Sequence, residues 1–480
     1  MVELLKLADD VAKKKINISN FLDYLILDAL KKKASDIHIE SKEDNTLLVR
    51  YRIDGVLRDI IPIASNLKDS LLFIIKVKSK LRTDIHFAPQ DGKILFNVKR
   101  EAIEGPQAKE EGEKEKKEGE TKKTKKEKKV NEKEKEDKKK KSQEKNDVEE
   151  KVESKNRLET LPNINDKKKD SYRVDARISI LPVTHGEKVV IRLLSQANKS
   201  FALHDLGLED EDLVKLEKAY KQPYGLILVT GPTGSGKTTT LYSILKILNT
   251  KEINITTIED PVEYSIEGVN HIQINPKGDL TFANGLRSIL RQDPNIIMVG
   301  EIRDKETARI TVNSALTGHL VLSTLHANDS VSTVPRLIDM GIEPFLVAST
   351  VNIIVTQRLA RRLCPHCKKQ YTLSKNKEVK ELLKLRPDIR KYLSDGLKLY
   401  GAIGCDKCHN TGYSGRIGIY EVLPMTKKVR DIVITNPNSD DILAIAKKDG
   451  FKLMLEDGVK KVKRGDIDIK ELIKVIAIKD

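Results

Sequence analysis

The run GPTGSGKT at residues 231–238 has two glycines, a lysine and a threonine at the spacing of a phosphate-binding loop. Leu226 to Thr230 before it is a short apolar run, read as a buried parallel strand. Thr238 to Leu248 after it reads as a helix, with Leu241, Ile244, Leu245 and Leu248 on one face. Strand, glycine loop and helix together make an anion site. Backbone N–H groups of Gly231, Pro232, Thr233, Gly234, Ser235, Gly236, Lys237, Thr238 and Thr239 would surround the phosphates of a nucleoside triphosphate, less the one that proline lacks. Lys237 should reach the outer phosphates, and the Thr238 hydroxyl should sit on Mg²⁺.

Three later stretches supply acids and histidines at the ends of apolar runs. INITTIEDPVEY (253–264) carries Glu259, Asp260 and Glu263. NIIMVGEIRD (295–304) reads as a buried strand ending in Glu301, and GHLVLSTLHAND (318–329) carries His319 and His326. Open parallel sheets bind ligands at the carboxyl ends of their strands. Carboxylates there can hold a metal or orient water, and a histidine can sense the γ-phosphate. Each group alone could equally be a surface acid or a satisfied structural histidine. Their coincidence with the phosphate loop favours a hydrolytic site.

Four cysteines form two C-x-x-C pairs, Cys364 with Cys367 and Cys405 with Cys408. Two such knuckles can present four thiolates tetrahedrally, which suits a closed Zn²⁺ site, whereas a redox role needs only one pair. His366 and His409 beside them are read as bystanders.

These residues need a framework to position them. The 480-residue length suits about three domains, and the net charge of +16 suggests an anionic partner. No apolar run approaches the roughly eighteen residues of a membrane span, and the N-terminus lacks a signal pattern, so a cytosolic chain is expected. Residues 1–16 form a short amphipathic segment. A small α/β domain is expected over 17–195, with a helix at Phe21–Lys33 and strands at Thr46–Ile53, Val56–Ile61 and Lys93–Val98. Between Lys109 and Lys155 lie 19 lysines, 16 acids and three apolar residues, too few to offset ordering entropy. The insert 101–170 is therefore read as disordered, with a lone solvated helix as the alternative. It interrupts a hairpin of Lys93–Val98 with Tyr172–Ile180. A linker at 196–206 leads to a nucleotide-binding domain at 207–480. Alternating strands and helices there predict a largely parallel α/β sheet with helices on both faces. The cysteine element, 361–418, lies within it and includes a helix-like stretch at Lys377–Leu385.

The collinear order GPTGSGKTTT, TIEDPVEY, LRSILRQDPNIIMVGEIRD and GHLVLSTLHAND resembles the secretion ATPase superfamily. ASDIHIE (34–40), VRYRIDGVL (49–57), PQDGK (89–93) and ARISILPVTHGEKVVIRLL (176–194) are similar to the domain preceding that motor. The resemblance runs from about Ile18 to the C-terminus, omitting the insert. It implies a RecA-like P-loop ATPase domain after a small PAS-like α/β domain. It also implies a homo-hexameric motor for type II secretion, type IV pilus assembly or retraction, or DNA uptake. Glu263 falls in the family's aspartate box and is implied to polarise water. Glu301 takes the Walker B position; which glutamate is the base stays open. His326 matches the second histidine of the histidine box. Arg177 and Arg192, with Arg287 and Arg291, match arginines that act around the nucleotide, where a guanidinium stabilises charge on the γ-phosphoryl oxygens. Interdomain salt bridges are the alternative for Arg177 and Arg192.

Tetracysteine zinc sites mark the assembly and secretion branch of that family, and retraction motors typically lack them. The implied partner is an inner-membrane platform protein, with the motor peripheral on the inner face of the cell membrane. A DNA-translocating motor is the competing reading. Only 4% of residues are aromatic and no nucleic-acid-binding signature is present, so direct DNA contact is not expected. Three departures stand out. Asn295 replaces the family's usual Asp, with little expected effect. The insert 101–170 enlarges a hairpin, and contact of this lysine-rich run with acidic membrane is one expectation for it. The longer N-terminal recruitment domain common in the branch is not matched, so recruitment directly to the platform protein, or by another mode, is expected.

Overall fold

A computed structural model of the chain describes residues 17–99, 171–195 and 202–476, together with Leu4 and Lys13. The chain divides into two compact units, Met1–Ala197 and Asn198–Asp480. The expectations for the insert at 101–170, for most of the N-terminal segment and for 196–201 of the linker lie outside the described residues.

The first unit is a six-stranded antiparallel sheet backed by two helices. Its strands are β1 (Ala34–Ser41), β2 (Leu47–Ile53), β3 (Val56–Ile63), β4 (Gln90–Lys99), β5 (Ser171–Val183) and β6 (Gly186–Ser195), in the order β3-β2-β1-β6-β5-β4. Helices α1 (Ile18–Lys31) and α2 (Ser65–Lys78) cover one face. Phe21, Leu22, Leu25 and Ile26 of α1 are buried with Ile37, Ile39, Val49, Ile178 and Ile191 of the sheet. Tyr51 anchors the layer by donating its buried hydroxyl to the Leu25 carbonyl at 2.9 Å. Strands alternate their side chains between faces, so the opposite face is charged. There Asp36, Glu40, Arg50, Arg52, Lys188 and Arg192 form ion pairs. The hairpin expected from 93–98 and 172–180 is present and pairs as far as Lys99 with Ser171.

The second unit holds a seven-stranded sheet with order β15-β12-β7-β11-β10-β8-β9. The members are β7 (Gly225–Thr230), β8 (Ile255–Glu259), β9 (Val269–Gln273), β10 (Ile296–Val299), β11 (Leu320–Leu325), β12 (Val351–Leu363) and β15 (Tyr413–Pro424). All neighbours are parallel except β12 with β15. Strands β7, β8, β10 and β11 are buried throughout. That burial explains their continuous apolar runs, since a parallel sheet is covered on both faces. Two cores flank the sheet, one with Leu286, Val312 and Leu337, the other with Leu241, Tyr242 and Leu245. The cysteine element lies between β12 and β15. It contains the small hairpin β13 (Lys369–Thr372) with β14 (Lys398–Gly401) and a helix at Lys377–Lys384.

Candidate active site

Helix α3 (Lys237–Leu248) starts directly from the phosphate loop, which leaves the end of β7. Gly231 has φ +137°, and a Cβ there would lie 2.4 Å from the Gln357 carbonyl oxygen. Only glycine lets β12 press this closely on the loop. Gln357, fully buried in β12, also bonds the loop with its side chain. Its Nε2 donates to the Ser235 carbonyl at 2.7 Å, and its Oε1 accepts from the Thr240 hydroxyl at 2.7 Å. Lys237 Nζ donates to the carbonyls of Gly231 (2.9 Å) and Pro232 (3.1 Å). Burial lowers the pKa of Lys237, and the charge of Glu301 opposes that shift.

Glu301 and His326 follow the ends of neighbouring strands β10 and β11. His326 Nε2 lies 3.4 Å from Glu301 Oε2. The Thr324 hydroxyl donates to the Gly300 carbonyl at 2.7 Å, and the Ile302 N–H donates to the Thr324 carbonyl, so the two strand ends stay in step. Arg303 was not anticipated from the sequence. It pairs with Glu301 at 2.5 Å and reaches Asp260 at 3.8 Å. It follows Glu301 by two residues, and a cation so close to a strand-end acid was the available signal.

The acids of the 253–264 stretch separate into different roles. Glu259 is buried. Its Oε2 accepts from the Tyr242 hydroxyl at 2.6 Å, and its Oε1 accepts from the Thr257 hydroxyl at 2.6 Å. The same oxygen lies 3.0 Å from His271 Nδ1. The Ile266 N–H donates to His271 Nε2 at 3.0 Å, which places the ring proton on Nδ1, toward Glu259. Glu259 is thus committed to a structural network. Tyr242, on α3, also bonds the Glu263 backbone. Tyr264 meets the Tyr242 ring edge-on with centroids 4.6 Å apart. Glu263, half-buried, is held between these contacts. Burial and the Glu259 charge push the Tyr264 phenol up to about 12. His319 is a satisfied structural histidine, its Nδ1 3.0 Å from the Ser314 carbonyl oxygen. Asn295 accepts from the Asn254 N–H at 2.7 Å and touches none of the strand-end acids through that bond.

The four arginines take different positions. Arg287 lies on α4 (Phe282–Ile289) and Arg291 just beyond it. Arg287 bonds Asn284 and Glu306, while Arg291 bonds Ser288 and the Arg287 carbonyl. None of these partners belongs to the phosphate loop. Arg177 and Arg192 face each other across β5 and β6 in the first unit. With Lys93 and Asp91 they line a cavity of about 390 Å³. Arg192 Nε donates to Asp36 at 3.0 Å, an ion pair within the first unit.

The cysteine sulfurs of Cys364, Cys367, Cys405 and Cys408 all lie within 4.8 Å of one another. The closer pairs are 3.9 Å (364–405), 3.7 Å (367–408) and 3.7 Å (405–408). Four thiolates at about 2.3 Å around one Zn²⁺ ion require about 3.8 Å between sulfurs. The cluster therefore fits a tetrahedral metal and is far too open for disulfides. Burial opposes ionisation of Cys408, but N–H donors from Cys405 and Gly412 outweigh it and bring the thiol to about 6. Cys367 is pushed up to about 12 by burial and its thiol neighbours.

The model of the type II/IV secretion system protein family matches residues 11–105 and 138–474. The type II secretion system ATPase E of Vibrio cholerae is 37% identical over 473 residues, 98% of this chain and 77% of that protein. The chain belongs to this secretion ATPase family. The type IV pilus assembly ATPase PilB of Myxococcus xanthus is also 37% identical over 473 residues, covering 98% and 69% of the two chains. Among solved structures, the ATPase DotB of Legionella pneumophila shares the fold. Its TM-score is 0.57 at 19% identity, covering 94% of both chains. The pilus retraction motor PilT with bound ADP gives 0.52 at 20% identity, covering 94% and 95%. This secretion ATPase is thus a mixed α/β P-loop enzyme. The family match breaks off between residues 106 and 137, inside the lysine-rich insert.

Proposed function

We propose that the chain is an Mg-ATP-hydrolysing, homo-hexameric motor. It would power assembly of a type IV pilus or type II pseudopilus by acting on an inner-membrane platform protein. The observation that carries the catalytic part is the 3.4 Å approach of His326 to Glu301 at neighbouring strand ends, with the charge of Glu301 acting on Lys237 of the phosphate loop. The loop N–H groups cradle the phosphates, and Lys237 exchanges its two carbonyls for phosphate oxygens. The Thr238 hydroxyl and Glu301 serve the Mg²⁺ side. His326 faces the γ-phosphate end, and Glu263, fixed through Tyr242, orients water. Arg287, Arg291, Arg177 and Arg192 stabilise charge on the transferring phosphoryl group, coupling hydrolysis to movement between bodies. ATP and Mg²⁺ are the working cofactors, and Zn²⁺ in the four-cysteine site is structural. The domains in this reading are 17–195 and 207–480, joined by 196–206.

The assembly branch is supported by the metal-fitting cysteine cluster and by the similarity, over 98% of this chain, to secretion and assembly ATPases. Among the described residues no helix is long and apolar enough to cross a membrane. In this reading the motor works from the cytoplasm against the inner face of the membrane. The test compares Mg-ATP hydrolysis alone, with acidic liposomes bearing the platform protein, and with DNA, using Lys237→Ala as the blank. Stimulation by the platform liposomes and not by DNA is expected. Stimulation by DNA alone would replace this reading with a DNA-translocating motor.

A further inference from the structure

Glu421 lies outside the constellation above, in β15. The residue is 4% exposed, yet three donors converge on its carboxylate. Oε1 accepts from the Ser330 N–H at 2.5 Å and the Ser330 hydroxyl at 2.9 Å. Oε2 accepts from the Met454 N–H at 3.2 Å. Ser330 is completely buried and follows His326 by four residues. The loop carrying His326 is thus pinned at one end by β11 and at the other by Glu421. Met454 is the first residue of helix α5 (Met454–Arg464), whose opening N–H groups lack partners within the helix. That helix shares a core with Leu373, Val379, Leu383 and Leu399 of the cysteine element. One carboxylate therefore joins the histidine loop to the helix packed on the metal-fitting element.

We propose that Glu421 is a positioning residue for ATP hydrolysis, holding the His326 loop through Ser330 and tying it to α5 through Met454. The inference rests on the role given to His326 above. A buried carboxylate that only stapled the fold would lower stability and leave the chemistry of folded enzyme alone. A residue acting through His326 lowers kcat while ATP binding, made by the phosphate loop, is spared. Its effect also vanishes once His326 is gone, because the two then act as one unit.

The experiment is a double-mutant cycle on the full chain with Glu421→Gln and His326→Ala, reading kcat and KM for Mg-ATP. The Glu421→Gln side chain keeps the shape of the carboxylate but presents an amide N–H₂ to one of the donors that Glu421 accepts from. Glu421→Gln is expected to lower kcat about tenfold with KM within about twofold. Adding it to His326→Ala should cost less than about twofold more. Losses that multiply across the cycle, or a kcat for Glu421→Gln within twofold of wild type, overturn the inference alone. An unchanged kcat for His326→Ala overturns both the role of His326 and this inference. If Glu421→Gln does not melt cooperatively, Ser330→Ala takes its place, removing the hydroxyl bond and leaving the N–H. It should lower kcat about threefold and add nothing to His326→Ala; a multiplying loss, or none, is the refuting result.

Discussion

Gln357 offers the sharpest test of how the phosphate loop is held. Gln357→Met keeps the length of the side chain and removes both polar atoms. The Thr240 hydroxyl retains Tyr420 as a neighbour. The Ser235 carbonyl loses its 2.7 Å donor in a buried setting. An orphaned buried acceptor costs about 1–3 kcal/mol, and the low end applies because an opened loop lets water reach the carbonyl. About 1.4 kcal/mol falling wholly on the cradled arrangement lowers the competent fraction up to tenfold, and apparent Kd rises by the same factor. Equilibrium titration with a fluorescent ATP analogue measures this directly, with Lys237→Ala as the non-binding control. The variant should bind about tenfold more weakly while its far-UV spectrum is unchanged. An affinity within twofold of wild type in a folded variant, even with a lower Tm, would reduce Gln357 to a structural staple and refute the reasoning.

Metal and pH give two further predictions. Elemental analysis should find one Zn²⁺ per chain, and Cys408→Ser should abolish it. That loss should lower Tm by at least about 5 °C, a shift worth about 2 kcal/mol in a unit of this size; equal metal content in the variant would exclude the four-thiolate site. Glu471 pairs with Arg361 of β12. Burial opposes its ionisation, but the Arg361 hydrogen bonds outweigh that and hold its pKa below the usual range. The folded pKa is lowered, so the pair's contribution is present at neutral pH and is lost as pH falls below about 4. The Tm gap between wild type and Glu471→Gln should shrink between pH 6 and pH 3, and a constant gap would contradict the assignment.

The phosphate loop and the strand-end residues were legible because their signals are local. The glycine spacing directly follows its apolar run, and Glu301 and His326 each come just after the end of theirs. Glu259 shows where that reading stopped. It lies in the same stretch as Glu263, but whether a carboxylate points to solvent or to Tyr242 depends on what packs beneath it. Gln357 and Glu421 were illegible for another reason. Their partners lie 122 and 91 residues away along the chain, and no spacing rule reaches that far. Arg287 and Arg291 were legible only through the resemblance, and the structure has them on and just after a helix. What they would act on is not among their bonded partners.

Strand β12 has a mechanical consequence. Its first half is clamped between β7 and β15, with Thr356 beside Thr230 at the root of the phosphate loop. Beyond Thr356, β15 is the one strand among the described residues that continues beside it, and the ribbon runs on to Cys364 with Arg361 braced by Glu471. The arm from Gln357 to Leu363 is about 23 Å long, and it is tied to the C-terminal segment, since Arg358 donates to the Val475 carbonyl at 3.0 Å and the Leu363 N–H donates to the Asp466 carbonyl at 2.8 Å. A tilt of about 5° at its root would carry the cysteine cluster about 2 Å, so a change too small to register at the phosphates becomes a displacement another protein could feel.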